Sequence, residues 1–255
     1  MRKLLLLLLA IPNILFGQSN AEENLFNHMI NLKQNVSSIK QVMYEYDKNG
    51  KVQPDYRQKR QISINKNKQI EKSGDVTYSF ETSAPYFISQ KNDESGYRGG
   101  IWNYKYKIKK SQSKTTVLQK DSESDKIIRE FTLDKNNSIT ALYEYRNGVK
   151  SYSSYYYEYN DRGYLVKETH LYEEAPWKII TYKLNEFDDV IEKLEADAKN
   201  GKYSYKYNFV YTYDNNNNWV TKIETQMSFD EKGKLGDKRS DFGYYEYIYK
   251  REIKY

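Results

Sequence analysis

The chain has 255 residues, of which 38% are hydrophobic and 28 are tyrosine, and its formal net charge is +6. It contains no cysteine, which excludes disulfides, thiolate metal sites and lipid attachment at a cysteine. The charges of both signs are interspersed, which is typical of a solvated surface and not of a nucleic-acid interface. Because tyrosine can cover a sheet with its ring while its hydroxyl stays wet, we expect a thin, well-exposed architecture.

The N-terminus has the pattern of a secretory signal. Arg2 and Lys3 precede an apolar run from Leu4 to Ile11, and Gly17 stands before a polar chain. The run is shorter than the roughly 20 residues that a spanning helix needs. We therefore expect residues 1–17 to be a cleaved signal peptide and residues 18–255 to form a single domain. Cleavage removes two basic residues and lowers the formal net charge to +4.

A short helix is predicted near residues 20–34. Asn20 can cap it, and Glu22 and Glu23 favour the positive end of the helix dipole. Leu25, Phe26, Met29 and Ile30 follow helical spacing. From Val36 onward the apolar period changes to two, which predicts strands.

An internal repeat is the most informative feature of the sequence. Its unit is apolar–x–apolar, then Asp or Asn, then a turn that contains Gly or Asn, then an aliphatic or aromatic residue. Seven copies occur, at residues 44–52, 62–70, 131–139, 157–165, 182–190, 211–220 and 227–235. In the second half of the chain the copies are about 25 residues apart.

Each repeat unit predicts a β-hairpin. Tyr-x-Tyr places two rings on one face of a strand because side chains alternate with period two. The Asp or Asn can bond backbone N–H groups and start a turn, and the Gly or Asn three positions later can adopt positive φ. The predicted fold class is therefore mainly β, with antiparallel hairpins forming an extended, twisted or curled sheet. Residues 82–130 are predicted to contain an irregular region, although 104–108 and 114–119 have the pattern of paired strands.

Residues 131–235 resemble the YD repeats, also called RHS repeats, of bacterial surface and toxin-delivery proteins. The matching elements are Tyr159-Asn160 followed by Gly163, and Tyr213-Asp214 followed by Asn217. The resemblance implies hairpins that wind into a sheet or shell and that scaffold, enclose or bind carbohydrate without catalysis. This chain is too short for a closed shell of that family, and it has no evident toxin domain.

Neither a catalytic nor a metal site is predicted. His28 and His170 stand near no nucleophile motif, and no fingerprint for a phosphate or dinucleotide occurs. Asp214–Asn218 has oxygen side chains like a calcium loop but lacks the required Gly and Glu, which favours an Asn-rich turn. The acids between Asp188 and Asp197 alternate with Lys193 and apolar residues, which is typical of a solvated strand. No cofactor is expected.

The aromatic residues are the candidate binding residues. Sugar rings stack on flat aromatic rings, and neighbouring polar side chains can bond the hydroxyl groups. The alternative is that the rings are cross-strand partners that only stabilise a thin sheet. The candidates are Trp102, Tyr155, Tyr157, Trp177, Tyr205, Tyr207 and Trp219, with Tyr156 and Tyr203 as further rings of the same aromatic faces.

These observations favour an exported, non-enzymatic protein of the periplasm, cell surface or medium that binds a glycan or an envelope protein. A secreted hydrolase with a site built on loops is one alternative. An outer-membrane β-barrel is another, which the alternating C-terminal strand suggests and the mean hydropathy of −0.97 opposes. No nucleic-acid partner and no membrane association beyond export are expected. Exposed end strands would allow a homodimer through sheet edges.

Overall fold

The computed structural model describes nine ranges of the chain: residues 36–46, 51–64, 70–73, 76–80, 87–92, 102–111, 115–134, 139–236 and 244–255. The predicted signal peptide and N-terminal helix lie outside these ranges. The described part contains sixteen strands and no helix. Among the described residues, no helix is long and apolar enough to cross a membrane. Within these ranges, side chains are described for all residues except 45–46, 55–106 and 108.

The strands are numbered in chain order. They are β1 (Ser38–Tyr46), β2 (Val52–Ile64), β3 (Ile70–Ser73), β4 (Val76–Phe80), β5 (Phe87–Asn92), β6 (Trp102–Lys110), β7 (Thr115–Asp121), β8 (Ile127–Leu133), β9 (Ile139–Arg146), β10 (Val149–Tyr159), β11 (Leu165–Tyr172), β12 (Ala175–Leu184), β13 (Val190–Asp197), β14 (Tyr203–Tyr213), β15 (Trp219–Ser228) and β16 (Tyr244–Lys254). The predicted partner strands near 104–108 and 114–119 are confirmed as β6 and β7. Within the stretch 82–130, where we predicted an irregular region, the described residues 87–92, 102–110, 115–121 and 127–130 are regular strands.

The sheet is antiparallel throughout and closes into a barrel. Each strand pairs with the next along the chain, and β1 pairs with β16 from Ser38↔Lys254 to Glu45↔Tyr247. The prediction of a mainly β, antiparallel fold is confirmed. The two strands that were expected to be exposed edges instead pair with each other, because closing the ring satisfies the backbone groups that an open sheet leaves bare. A homodimer stays a prediction.

Four of the repeat turns share one geometry. At Asn160, the side-chain Oδ1 accepts hydrogen bonds from the backbone N–H groups of Arg162 and Tyr164, and Gly163 has a φ of 84°. The same two bonds recur at Asn185, Asp214 and Asp230, with positive φ at Asp188, Asn217 and Gly233. The predicted hairpin turn is therefore confirmed at these copies. The calcium-like loop at Asp214 is one of them.

Tyrosine hydroxyls join neighbouring hairpins at one end of the barrel. Tyr159 donates to the backbone oxygen of Ile139 at 2.8 Å, and Tyr211 donates to that of Val190 at 2.7 Å. Tyr255 hydrogen-bonds Asp214 and accepts from Nδ2 of Asn218 at 3.1 Å. The repeated tyrosine thus caps the turn of an adjacent hairpin. This end is called the Tyr255 end, and the opposite end is called the Trp177 end.

The two faces of the sheet differ in burial and charge. Cross-strand partners share a face, and one face carries most of the buried residues, including Ile39, Phe131, Ile180, Phe209 and Tyr249. The other face carries exposed ion pairs, among them Lys40–Glu252, Lys167–Glu158 and Lys183–Glu192. A closed sheet shelters only one of its faces, so the buried face lines the interior.

Candidate binding site at the Trp177 end

Exposed aromatic rings are concentrated at the Trp177 end. Strand direction decides this position, because each ring lies near the start of an even-numbered strand or the end of an odd-numbered one. These rings, called the aromatic rim, belong to Tyr152, Tyr172, Trp177, Tyr203, Tyr205 and Tyr245, and they are 39–66% exposed. They come from β10, β11, β12, β14 and β16, which together with the intervening β13 and β15 make up one continuous side of the barrel.

Several rim rings are held by contacts with other rings. Tyr152 lies 5.9 Å from Tyr172, and Tyr203 lies 5.6 Å from Phe229, measured between ring centroids. Trp177 stands edge-on to His170 at 6.0 Å. Aromatic contacts of this kind contribute roughly 0.5–1.5 kcal/mol beyond area burial, so they fix ring orientation. The rim is therefore an ordered surface.

A buried acid lies below Trp177. Glu168 is 7% exposed, accepts a hydrogen bond from the hydroxyl of Tyr182 at 2.6 Å, and lies 3.0 Å from Nε2 of His170. Burial raises the pKa of Glu168, but the contacts with His170 and Tyr182 together lower it by more. The pKa of Glu168 therefore lies below its usual range. His170 also packs edge-on against Tyr155 at 4.8 Å between ring centroids. Glu168 thus links the rim to the interior.

A second charged group lies on the neighbouring strands. Both Lys178 and Lys193 lie 3.1 Å from the carboxylate of Glu195, one at each oxygen. Burial raises the pKa of Glu195, but the two ammonium groups lower it more, and the carboxyl stays ionised. The Lys193 ammonium is 4.6 Å from the ring centroid of Tyr207, a favourable cation–π position.

The interior of the Tyr255 end holds other buried charges. Lys222 is 1% exposed, pairs with Glu224 at 3.1 Å, and stands 3.7 Å from the ring centroid of Tyr249. Burial lowers the pKa of Lys222 to about 8. Arg251 lies 3.3 Å from the ring centroid of Trp219, and burial lowers its pKa to about 9.

The structure separates the seven aromatic residues that the sequence suggested. Trp177 and Tyr205 belong to the aromatic rim, and Tyr155, Tyr157 and Tyr207 lie on the interior face beyond it. Trp102 begins β6 at the Trp177 end, but its side chain lies outside the described part. Trp219 is 2% exposed at the Tyr255 end. The seven residues therefore do not form one platform, and a role in binding remains a prediction for each.

Sequence reasoning missed three rim residues, Tyr152, Tyr172 and Tyr245. All three lie at strand ends opposite the turns at Asn160, Asn185 and Asp214, a position that following strand direction through the repeats could have found. The prediction that the acids between Asp188 and Asp197 lie on a solvated strand was wrong, because Asp189, Lys193 and Glu195 are 3–6% exposed. Of the other acids in that group, Glu192 faces the outside, paired with Lys183 and Lys206, and Asp197 is exposed. Charged and apolar residues alternate with period two on a strand whichever face points inward, so the alternation alone does not show which face is buried.

Within the described ranges, no group of three or more His, Asp or Glu side chains is placed to hold a metal ion. The Asp214 loop uses Oδ1 to accept backbone hydrogen bonds, as the other hairpin turns do.

No protein-family model and no curated protein matches this chain. A porin-like protein from Bacteroides uniformis is similar in structure at 10% identity, with 88% of this chain and 99% of that chain covered and a TM-score of 0.40. A porin-like protein from Bacteroides vulgatus is 7% identical, with coverages of 86% and 98% and a TM-score of 0.31. The MucA/MucB complex of Pseudomonas aeruginosa is 8% identical, with coverages of 92% and 94% and a TM-score of 0.14. Likeness at these values supports no inference about function.

Proposed function

We propose that this protein is an exported, non-enzymatic barrel of the cell envelope that binds a glycan at its Trp177 end. The observation that carries the proposal is the gathering of exposed aromatic rings on one continuous side of one barrel end. Export rests on the signal pattern of residues 1–17. The YD-like hairpins agree with a carbohydrate-binding role.

The chemistry of the rim suits a sugar. Large amphipathic rings give contact area at low entropic cost, and ordered polar groups behind them supply orientation. Lys178 is such a group, since its ammonium lies 4.9 Å from the Trp177 ring centroid and 3.1 Å from Glu195. A glycan would stack on Trp177 and the rim tyrosines and bond its hydroxyls to Lys178, which Glu195 holds in place.

A glycan-array screen of the chain starting at Gln18 tests the proposal, followed by tryptophan fluorescence titration of each hit. Trp177→Ala should weaken binding at least tenfold, the loss expected for an anchoring aromatic residue. Tyr156→Ala is the matched control, because Tyr156 is 39% exposed on the outer face and belongs to no rim. Its binding should equal that of the unchanged chain. The proposal would be contradicted if the folded protein bound no glycan on the array, or if Trp177→Ala bound as tightly as the unchanged chain.

An outer-membrane barrel is the second candidate, because the sheet closes on itself as such a protein requires. The outer face argues against it. Lys167, Lys183 and Lys206 lie on that face within ion pairs, whereas a lipid-facing barrel carries an apolar band there. A lysine at the bilayer midplane costs roughly 2–4 kcal/mol. We therefore prefer the barrel surrounded by water.

A further inference from the structure

Trp177 occupies an irregular position in its strand. Between β11 and β12, the residue before Trp177 pairs with Leu171 and the residue after it pairs with His170, so Trp177 is an extra residue in a β-bulge. Bulges re-aim a side chain and are common beside functional sites. The backbone oxygen of Trp177 accepts a hydrogen bond from the N–H of Ala198 at 3.1 Å. The backbone is therefore fixed, but the pairing of the strands does not set the direction of the ring.

The imidazole of His170 connects the Trp177 ring to the barrel interior. The two rings stand edge-on, with 6.0 Å between their centroids and 65° between their planes. His170 is itself held from two sides, because the ring of Tyr155 packs edge-on against it at 4.8 Å and Oε2 of Glu168 lies 3.0 Å from its Nε2. The exposed tryptophan therefore rests on a side chain that buried neighbours fix in place.

The carboxylate of Glu168 determines which nitrogen of His170 carries the proton. A carboxylate has only acceptor atoms, and Oε1 of Glu168 already accepts from the hydroxyl of Tyr182 at 2.6 Å. Nε2 of His170 is therefore the donor to Oε2. A carboxylate that accepts from an imidazole fixes both the tautomer and the orientation of the ring. Glu168 thus acts on Trp177 through His170.

We propose that His170 is the positioning residue of the glycan site: held by Glu168, it keeps the Trp177 ring in the orientation on which a sugar stacks. This inference rests on the proposed function, because it names the residue that acts on the anchoring ring of that site. A ligand that must immobilise a mobile side chain binds more weakly than one that meets a fixed side chain. Loss of the His170 ring should therefore weaken glycan binding about two- to tenfold.

His170→Gln separates positioning from stability. The glutamine amide can still donate to Glu168, but it has no ring to contact Trp177. A role of His170 limited to satisfying the buried carboxylate would therefore survive this change. If His170→Gln does not fold, His170→Leu combined with Glu168→Gln removes the ring without leaving a buried charge alone, and the same results are expected.

The motion of the Trp177 ring can be measured with no glycan present. In the chain starting at Gln18, Trp102→Phe and Trp219→Phe leave Trp177 as the single tryptophan. We expect His170→Gln to increase the amplitude of the fast component in time-resolved fluorescence anisotropy. If the single-tryptophan chain does not fold, fluorine NMR relaxation of the chain labelled with fluorotryptophan measures the same motion. Trp177→Phe then identifies the Trp177 resonance.

Glycan affinity is measured with the tightest-binding glycan of the array, and His170→Gln should weaken it about two- to tenfold. Lys167→Gln is the matched control, because Lys167 lies on the outer face of the same strand, paired with Glu158, and should change neither readout. Unchanged ring motion in folded His170→Gln would overturn the proposal, and so would increased motion with unchanged affinity. A blank array would instead contradict the proposed function, and the ring motion would still decide whether His170 positions Trp177.

Discussion

The hydroxyl of Tyr213 donates a hydrogen bond to Oδ2 of Asp189, 2.8 Å away, and so ties the hairpin of β14 and β15 to the turn between β12 and β13. The same hydroxyl accepts from Nδ2 of Asn185 at 2.7 Å. Tyr213 is the tyrosine that stands directly before the turn-forming Asp214 of its own repeat. The repeat therefore encodes both its own turn and a contact with a neighbouring turn.

Loss of this hydroxyl should destabilise the barrel. Tyr213→Phe keeps the ring but removes its hydrogen bond to the buried carboxylate of Asp189, and hydrogen bonds to charged groups contribute roughly 1.5–3 kcal/mol. We expect the free energy of unfolding, from urea denaturation, to fall by about that amount. Tyr245→Phe is the control, because Tyr245 is 56% exposed and should change stability by less than about 0.5 kcal/mol. Equal effects of the two variants would contradict the assigned role.

The positive φ of Gly163 should make that turn sensitive to a side chain. A Cβ at Gly163 would contact nothing within 4 Å, so the cost of Gly163→Ala comes from the backbone φ of 84° and not from a clash. We expect a loss of about 1 kcal/mol in urea denaturation. Gly163→Asn should lose less, because Asn217 occupies the equivalent position of another repeat at a φ of 58°. A larger loss for Asn than for Ala would be inconsistent with this explanation.

Buried Lys222 should make stability increase with pH in the alkaline range. Its pKa in the folded protein is about 8, mainly because burial disfavours its charge, against an ordinary value of 10.5. Between these values the unfolded chain binds more protons at this residue than the folded chain, so its contribution to the free energy of unfolding rises with pH. Below pH 8 both states are protonated and the contribution is constant.

The comparison variant is Lys222→Met combined with Glu224→Gln, which removes the pair without leaving one charge alone. The free energy of unfolding of the unchanged chain minus that of the variant should rise by at most about 3 kcal/mol between pH 8 and 10.5. Other titrating groups largely cancel in this difference. A flat or falling difference over that range would show that Lys222 keeps its ordinary pKa.

The charged outer face predicts that the chain starting at Gln18 stays in solution without detergent. Glu192, for example, accepts ion pairs from Lys183 and Lys206 at 2.7 Å each on that face. The hydrogen bonds from these two lysines hold the pKa of Glu192 below its usual range, so the acid stays ionised. After ultracentrifugation we expect β-type circular dichroism in the supernatant. Folded protein that is recovered only with detergent would instead favour the membrane candidate.

Local chemistry made the hairpins predictable from the sequence. The turn at Asn160 depends on bonds to Arg162 and Tyr164 and on the φ of Gly163, all within five consecutive residues. Interactions over so few residues can be predicted from a repeated sequence. The antiparallel pairing and the period of the strands were predictable for the same reason. The resemblance to YD repeats and the glycan-binding role remain predictions.

Closure and the location of the site depend on contacts that no local pattern encodes. Ser38 pairs with Lys254, more than 200 positions away, and this pairing converts a sheet with edges into a barrel. A period of two separates the residues of a strand into two faces but does not say which face is sheltered. Closure sheltered the face with Lys222, Glu224 and Arg251, and the alternating strand directions gathered the rim rings at one end. The buried charges and the aromatic rim are therefore properties of the assembled ring and not of any single repeat.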